Sequence, residues 1–411
     1  MINFASSQYK LLFGTHKCDC GIEHSFKVRC LLEHGAFNGM VSFISDFTPP
    51  LSRIALIYNC AEALMQEVYA SLKRDFRVVC VRADCEKKHA EMLDLPEDTK
   101  LVLAIGADAV DCAKYKAYMQ DLPVVYVGLP SGECLAPHSV MDEEGLKVAY
   151  AVGSPIGYIF DLDFAVSDEE KAALFGDVAA HLNTAFEYYC AALLSGSEYC
   201  PYIGGAMTDI AAKTIFTVSE MGRKAPNLSD VLIDAALRLA IISPSDLRGG
   251  DTQCSLTYDM LGESEARGGL RFVFAAVLSQ LYRSHVMRRR SFTPPPDNNF
   301  RLEHIASLFG ISEQRAIRGI RPQMTGREAA LAEYKIREYT GELLEKLERN
   351  ISLYKLAFKT FKRLHSDDGY SLTELIGGDV SLCIALAPDV VGGSGMLTTL
   401  KRLGELDAYI V

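Results

Sequence analysis

Between Ser52 and Val127 short apolar runs alternate with segments of helical spacing, and beyond Ser167 that alternation stops. The runs Ile54–Tyr58, Val78–Val81, Leu101–Ile105 and Val124–Val127 predict strands, and Ala61–Lys73 and Val110–Met119 predict helices between them. Uninterrupted apolar strands separated by amphipathic helices imply a parallel sheet with both faces covered. A further strand at Tyr158–Asp161 closes this half. The rest reads as helices over Lys171–Leu194, Ala206–Met221, Leu228–Ile242, Gly268–Met287 and Gly326–Leu364, broken at Pro244 and at Pro294–Pro296. The expectation is a Rossmann-like α/β domain over residues 1–165 followed by an all-helical domain over 166–411, a division that 411 residues make the default. Ligands of such sheets sit at the carboxyl ends of the strands, which makes the cleft between the domains the expected site for a small molecule.

Charge narrows the partners. A net charge of -11 argues against a general binder of nucleic acids or anionic membranes, which attract polyanions with excess Lys and Arg. The stretch Leu302–Ile320 has the outline of a helix-turn-helix, preceded by Arg288, Arg289 and Arg290, but a helical hairpin with a charged rim accounts for both features. No basic start with an apolar core follows Met1, and no apolar run approaches a membrane span. The 12 cysteines are scattered, several inside apolar stretches, as reduced thiols of a cytoplasmic protein would be.

Cys18, Cys20 and His24 bring two thiols and an imidazole together near the start. Structural zinc takes four ligands, usually as two spaced pairs, and no matching second pair follows. A turn beside an N-terminal hairpin is the simpler reading.

Several stretches together resemble the iron-containing alcohol dehydrogenase and dehydroquinate synthase superfamily, most nearly its bacterial glycerol-1-phosphate dehydrogenase branch. They are CDCGIEH at the start, LVLAIGADAVDCAKYKAY, YVGLPSGECLAPHSV, FDLDFAVSDEEKAALFGDVAAHLNTAFEYY at the entry to the helical half, and the ending APDVVGGSGMLTTLKRLGELD. The resemblance implies a dehydroquinate synthase-like fold, with a nucleotide-binding α/β domain before the helical one. It implies NAD or NADP as cofactor, a zinc, iron or nickel ion acting as Lewis acid, and reduction of dihydroxyacetone phosphate to glycerol 1-phosphate. Family members often form homo-oligomers.

Residue by residue, the resemblance places Asn59, Gly106, Asp108, Asp111, Lys114 and Ser131 around the cofactor, and Glu133 where a loop acid faces substrate. At Asn59 an acidic residue is usual. Asp108 stands in a turn where backbone N–H groups hold a diphosphate, and a like-charge pair at about 4 Å and an effective dielectric near 20 costs on the order of 4 kcal/mol. An exposed helix pair accounts equally well for Asp111 and Lys114. Asp177, after Gly176, matches a metal-ligating aspartate. The two histidine ligands are replaced by Ser255 and Arg267, and Arg has no lone pair to donate. Two alternatives stay open: Arg267 takes the place of the ion beside Asp177 and holds an anionic or carbonyl ligand, or His181 and Asp259 relocate the metal site. A histidine on a buried helix face is the plain reading of His181. In the closing stretch, Val391, Gly392, Gly393, Ser394 and Gly395 replace a run that is commonly arginine-rich in this branch. Three functions compete: an NAD(P)-dependent dehydrogenase, a metal-free relative that binds a small ligand or regulates, and a dehydroquinate synthase-type reaction. The pattern of replacements puts the second ahead.

Overall fold

The computed structural model of the protein describes residues 14–18, 20–21, 23–26, 28–131, 134–243, 249–262, 269–288, 298–317, 319–364 and 380–406. The chain divides into two compact units, Met1–Glu143 with Val148–Val166 and Ala236–Ser245, and Glu144–Lys147 with Ser167–Ala235 and Asp246–Val411. The elements before Ser167 run β1 (Gly14–Lys17), β2 (Glu23–Phe26), β3 (Arg29–Glu33), α1 (Ala36–Ser45), β4 (Arg53–Tyr58), α2 (Glu62–Leu72), β5 (Arg77–Arg82), α3 (Lys87–Met92), β6 (Thr99–Ile105), α4 (Ala107–Met119), β7 (Val124–Val127), β8 (His138–Glu143), β9 (Leu146–Ala151) and β10 (Gly157–Asp161).

Six of these strands form one sheet in the order β3-β10-β7-β6-β4-β5, every neighbouring pair parallel. The four apolar runs seen in the sequence are β4 to β7. In β4, Ile54, Ala55, Leu56 and Ile57 are completely buried, as a central parallel strand covered on both faces must be. Met40 and Ile44 from α1 and Val68 and Leu72 from α2 pack into the same core as Leu56 and Leu103. At the edge, β5 is bounded by Arg77 and Arg82, and such charge discourages pairing with another chain. The chain passes from β4 outward to β5 and then crosses to β6 on the other side, so the topological switch lies between β4 and β6.

One strand outside the expectation, β3, completes the sheet beside β10. Its place depends on Asp161, the last residue of β10. Helix α1 begins at Gly35 without a side-chain cap of its own, and the Asp161 carboxylate accepts from Gly35 N and Phe37 N, each at 2.9 Å. A distant carboxylate therefore satisfies N–H groups that the helix leaves unpaired.

The remaining helices are α5 (Asp168–Ser195), α6 (Pro201–Glu220), α7 (Leu228–Ile242), α8 (Gly250–Met260), α9 (Leu270–Met287), α10 (Asn298–Phe309), α11 (Glu313–Ala316), α12 (Gly326–Glu338), α13 (Thr340–Leu364), α14 (Val380–Val390) and α15 (Met396–Arg402). Ser167 opens α5 with a capping box: its hydroxyl accepts from Glu170 N at 3.1 Å, and Glu170 Oε2 accepts from Ser167 N at 2.7 Å. The core joins Phe186, Phe274, Tyr282, Leu343, Leu347 and Leu397. The single helix expected over Gly326–Leu364 is two, divided at Tyr339. Thr340 Oγ1 donates back to Ile336 O at 2.9 Å there, a contact that bends helices. The helix-turn-helix outline becomes α10 and α11. Arg301 in α10 is buried against Asp389, and Arg315 in α11 lies 3.4 Å from Glu144, so both cations are engaged within the fold. Arg289 and Arg290 lie outside the described residues. Among the described residues no helix is long and apolar enough to cross a membrane.

Replacing Asp161 with alanine leaves the Gly35 and Phe37 amides without this acceptor. The expected loss is about 1–3 kcal/mol, read as a lower denaturant midpoint, with Asp161→Asn intermediate; an unchanged midpoint contradicts the capping role.

Candidate functional site

At the switch point, Asn59 follows Tyr58 and Gly106 follows Ile105, residues in register across β4 and β6. Gly106 is the N-cap of α4 at φ 79°, and a Cβ there would lie 2.8 Å from the Ala61 Cβ. Only glycine allows the loop after β4 to lie this close to the helix start. Gly106 N donates to Val127 O at 2.8 Å, and a Cβ at Gly128 would stand 3.1 Å from Gly106 Cα, so three strand ends meet through backbone. Asn59 is half-buried. Asp108 falls in the first turn of α4, with its side chain outside the described residues, and Glu133 lies outside them altogether. Ser131 N donates to Cys134 Sγ at 3.2 Å in a turn closed by Cys134 N to Ser131 O, also at 3.2 Å.

Asp111 and Lys114 are not the exposed pair that the sequence allows. Lys114 Nζ lies 3.2 Å from Asp111 Oδ1, with side-chain exposures of 1% and 17%. The ammonium also donates to His138 O at 2.6 Å, and Ser139 Oγ donates to Asp111 O at 2.7 Å. This pair anchors the segment leading into β8.

The second constellation belongs to the helical unit. Asp177, His181, Thr184 and Glu187 recur at helical spacing along α5. Gly176 lets the start of α9 approach: a Cβ there would stand 3.3 Å from Gly269 Cα and 3.3 Å from the Phe361 ring. The approach sets Arg271, two residues beyond Gly269, against Asp177, next to Gly176. Arg271 Nη1 is 3.7 Å from Asp177 Oδ1. Its Nε and Nη2 donate to Asp251 Oδ2 at 3.2 and 3.0 Å. Asn183 Nδ2 donates to the other oxygen of Asp251 at 2.9 Å. Asp251 is completely buried, and its carboxylate is met by three N–H donors, two of them from the Arg271 guanidinium.

A guanidinium near Asp177 is that of Arg271; Arg267, expected there, lies outside the described residues. Ser255 is half-buried in α8, and Asp259 is one turn further on in that helix. His181 is buried, and its Nδ1 lies 2.7 Å from the carbonyl of Asp177, which makes Nδ1 the protonated nitrogen. Burial, and then the Arg271 charge, push its pKa down to about 3 and hold the ring neutral. Among the described residues Asp177, His181 and Asp259 do not gather their ligand atoms into a metal-sized group. A dication on Asp177 would face the Arg271 charge, and at about 4 Å and an effective dielectric near 20 that repulsion is about 8 kcal/mol. Among the described residues, those around Asp177 do not make a donor set for such an ion. Sequence reasoning missed Asp251 and Arg271. The available signals were Gly249–Gly250 directly before Asp251 and the position of Arg271 one helical turn beyond Arg267.

Further along α5, Glu187 is completely buried. It accepts from Tyr282 Oη and from Met396 N at 2.5 Å, which caps α15. Burial raises its pKa from 4.5 to about 7, against those hydrogen bonds.

No protein-family model and no curated protein matches the chain. Solved structures do match. Glycerol dehydrogenase from Schizosaccharomyces pombe superposes with a TM-score of 0.52 at 12% identity, over 88% of this chain and 96% of that one. NADH-dependent butanol dehydrogenase A from Thermotoga maritima gives 0.55 at 13% identity, over 93% and 97%. An iron-containing alcohol dehydrogenase from Corynebacterium glutamicum gives 0.53 at 15%, over 94% and 95%. This chain has the fold of the iron-containing alcohol dehydrogenases, a parallel sheet with flanking helices followed by a helix-rich half.

Replacing Arg271 with methionine leaves the buried Asp251 uncompensated. The expected destabilisation is about 3–5 kcal/mol by denaturant titration, and His181 should titrate at higher pH by NMR because one cause of its depressed pKa is removed. A variant as stable as the parent removes the ion-pair argument.

Glu187 and His181 act on stability in opposite senses. The native state keeps the Glu187 proton that the unfolded chain releases above 4.5, so this contribution is full below 4.5 and lost as pH rises through about 7. Native His181 stays neutral to about 3 while the unfolded chain protonates near 6.5, so its contribution is full above 6.5 and lost as pH falls towards about 3. Between 4.5 and 6.5 they oppose each other. In Glu187→Gln the falling part is gone, and Tm should rise more steeply with pH across that window than in the parent. A series of melts checks this, and parallel curves contradict it.

Proposed function

We propose that this chain is a diverged relative of the iron-containing alcohol dehydrogenases without their metal at Asp177, a cytoplasmic small-ligand-binding protein that has given up metal-assisted hydride transfer. One observation carries the reading: the carboxylate that would hold the ion faces Arg271 at 3.7 Å, while the same guanidinium is bound to the buried Asp251. Among the described residues two carboxylates, Asp177 and Asp251, face the one guanidinium of Arg271, an excess of negative charge that disfavours a phosphorylated ligand. Asp177 keeps 30% of its side chain exposed and offers acceptor lone pairs, which suit a neutral, hydroxyl-rich molecule better than an anion. The absence of any disulfide among the described cysteines supports a reducing compartment.

A second reading, NAD(P)-dependent reduction of dihydroxyacetone phosphate, draws support from α4. Its first turn lies at the switch point behind Gly106, whose N-cap position supplies no side-chain cap, and such a helix start can receive a diphosphate. The discriminating experiment combines nicotinamide fluorescence titration with an assay of dihydroxyacetone phosphate reduction by NADH and NADPH, with zinc, iron(II) or nickel added. The expected result is no turnover above background with any metal. Turnover that Asp177→Ala abolishes overturns the proposal and establishes the second reading.

A further inference from the structure

Strands β1 and β2 form an antiparallel hairpin in which Lys17 pairs with Glu23. The turn between them begins at Cys18, whose carbonyl accepts from Gly21 N at 3.0 Å, with Gly21 at φ 83°. Cys18 and Cys20 are two residues apart on this turn, and His24 is the second residue of β2. Folding brings the three together: both sulfurs and a ring nitrogen lie within 4.8 Å of one another, all half-buried. Cys20 Sγ is 3.6 Å from His24 Nε2.

That distance has a chemical meaning. With zinc–sulfur and zinc–nitrogen bonds of about 2.3 and about 2.05 Å, a tetrahedral ion separates a sulfur from a nitrogen ligand by about 3.6 Å. A thiol–imidazole hydrogen bond accounts for one such contact, but it gives no reason for a second thiol to converge on the pair. The hairpin itself is short, four residues in each strand, and isolated two-stranded ribbons are marginal in water. A metal that pins the turn supplies what hydrogen bonding alone does not.

We propose that the N-terminal hairpin is a structural zinc site, with Cys18, Cys20 and His24 as three ligands and a fourth thiolate from elsewhere in the chain. Two thiolates and an imidazole select zinc over magnesium or calcium, which take oxygen ligands. The inference is independent of the reading of Asp177, because none of these residues belongs to the helix that carries it.

The test uses the full chain purified without chelator. Elemental analysis should find one zinc per chain. Cys18→Ser, Cys20→Ser and His24→Ala should each lose it, while Asp177→Ala keeps it. Serine scanning of the other cysteines, beginning with Cys200 at the start of α6, should find one further position that loses the metal. Cobalt(II) exchanged into the unmodified protein should show thiolate-to-metal charge transfer in the near ultraviolet, a readout that does not depend on any variant folding. Protein without metal and without the cobalt signature overturns this inference and leaves the proposed function standing. Metal lost in Asp177→Ala but kept in Cys18→Ser overturns both.

Discussion

One guanidinium set between two carboxylates organises the polar interior of the helical unit. Asp251 is completely buried, and a carboxylate there survives in charged form only with a cation and hydrogen-bond donors against it. Arg271 meets that requirement, and its other edge reaches Asp177. The consequences run along α5. Arg271 helps to keep His181 neutral, and Glu187, two turns further on, takes up a proton more readily because burial penalises its charge. The α5 face thus carries polar groups with little uncompensated charge. Two further buried cations of the helical unit follow the same rule. Arg301 and Lys401 share Asp389, with Lys401 Nζ at 3.4 Å, in a pocket where all three side chains are almost completely enclosed.

How much of this was legible follows from which physical signal each element carries. Strands β4 to β7 are covered on both faces, so each is an apolar run, and the helices between them keep their own period; that half could be read directly. Strand β3 could not: its five residues begin with an exposed arginine and end in Glu33, and it lies at an edge where one neighbour suffices. The β8–β9 hairpin was missed for a different reason. Its turn, Glu144–Gly145, has φ of 50° and 83°, a conformation that Asn-Gly or Asp-Gly advertises and Glu-Gly does not. Helix α12 runs into α13 with continuous amphipathic spacing, so periodicity does not record the break at Tyr339, beside which Thr340 bonds back to Ile336 O.

Of the site, Gly176–Asp177 points to the place on α5, but Arg271 as a neighbour of Asp177 follows from the backbone approach of Gly176 to Gly269, a tertiary distance that no local pattern records. Lys114 shows the converse. Its spacing from Asp111 suits a surface pair on a helix, and only the fold reveals that two carbonyls of the segment 136–138 enclose the ammonium.

The glycines and the charged residues tell different stories about what this fold retains. Gly106 and Gly176 are used for close backbone approach: a side chain at Gly106 would collide with Ala61, and one at Gly176 would crowd Gly269 and Phe361. Such positions follow from the architecture whatever the chemistry, so they persist as long as the sheet and helices pack as they do. Asp177, by contrast, is needed as a bare carboxylate only if an ion is to sit on it. Here it faces an arginine already anchored on a second, completely buried carboxylate, and with 30% of the Asp177 side chain exposed the contact at 3.7 Å is partly screened by water. The geometry of the backbone is that of the iron-containing alcohol dehydrogenase fold, and inside the helical unit the charges of Asp177, Arg271 and Asp251 face one another.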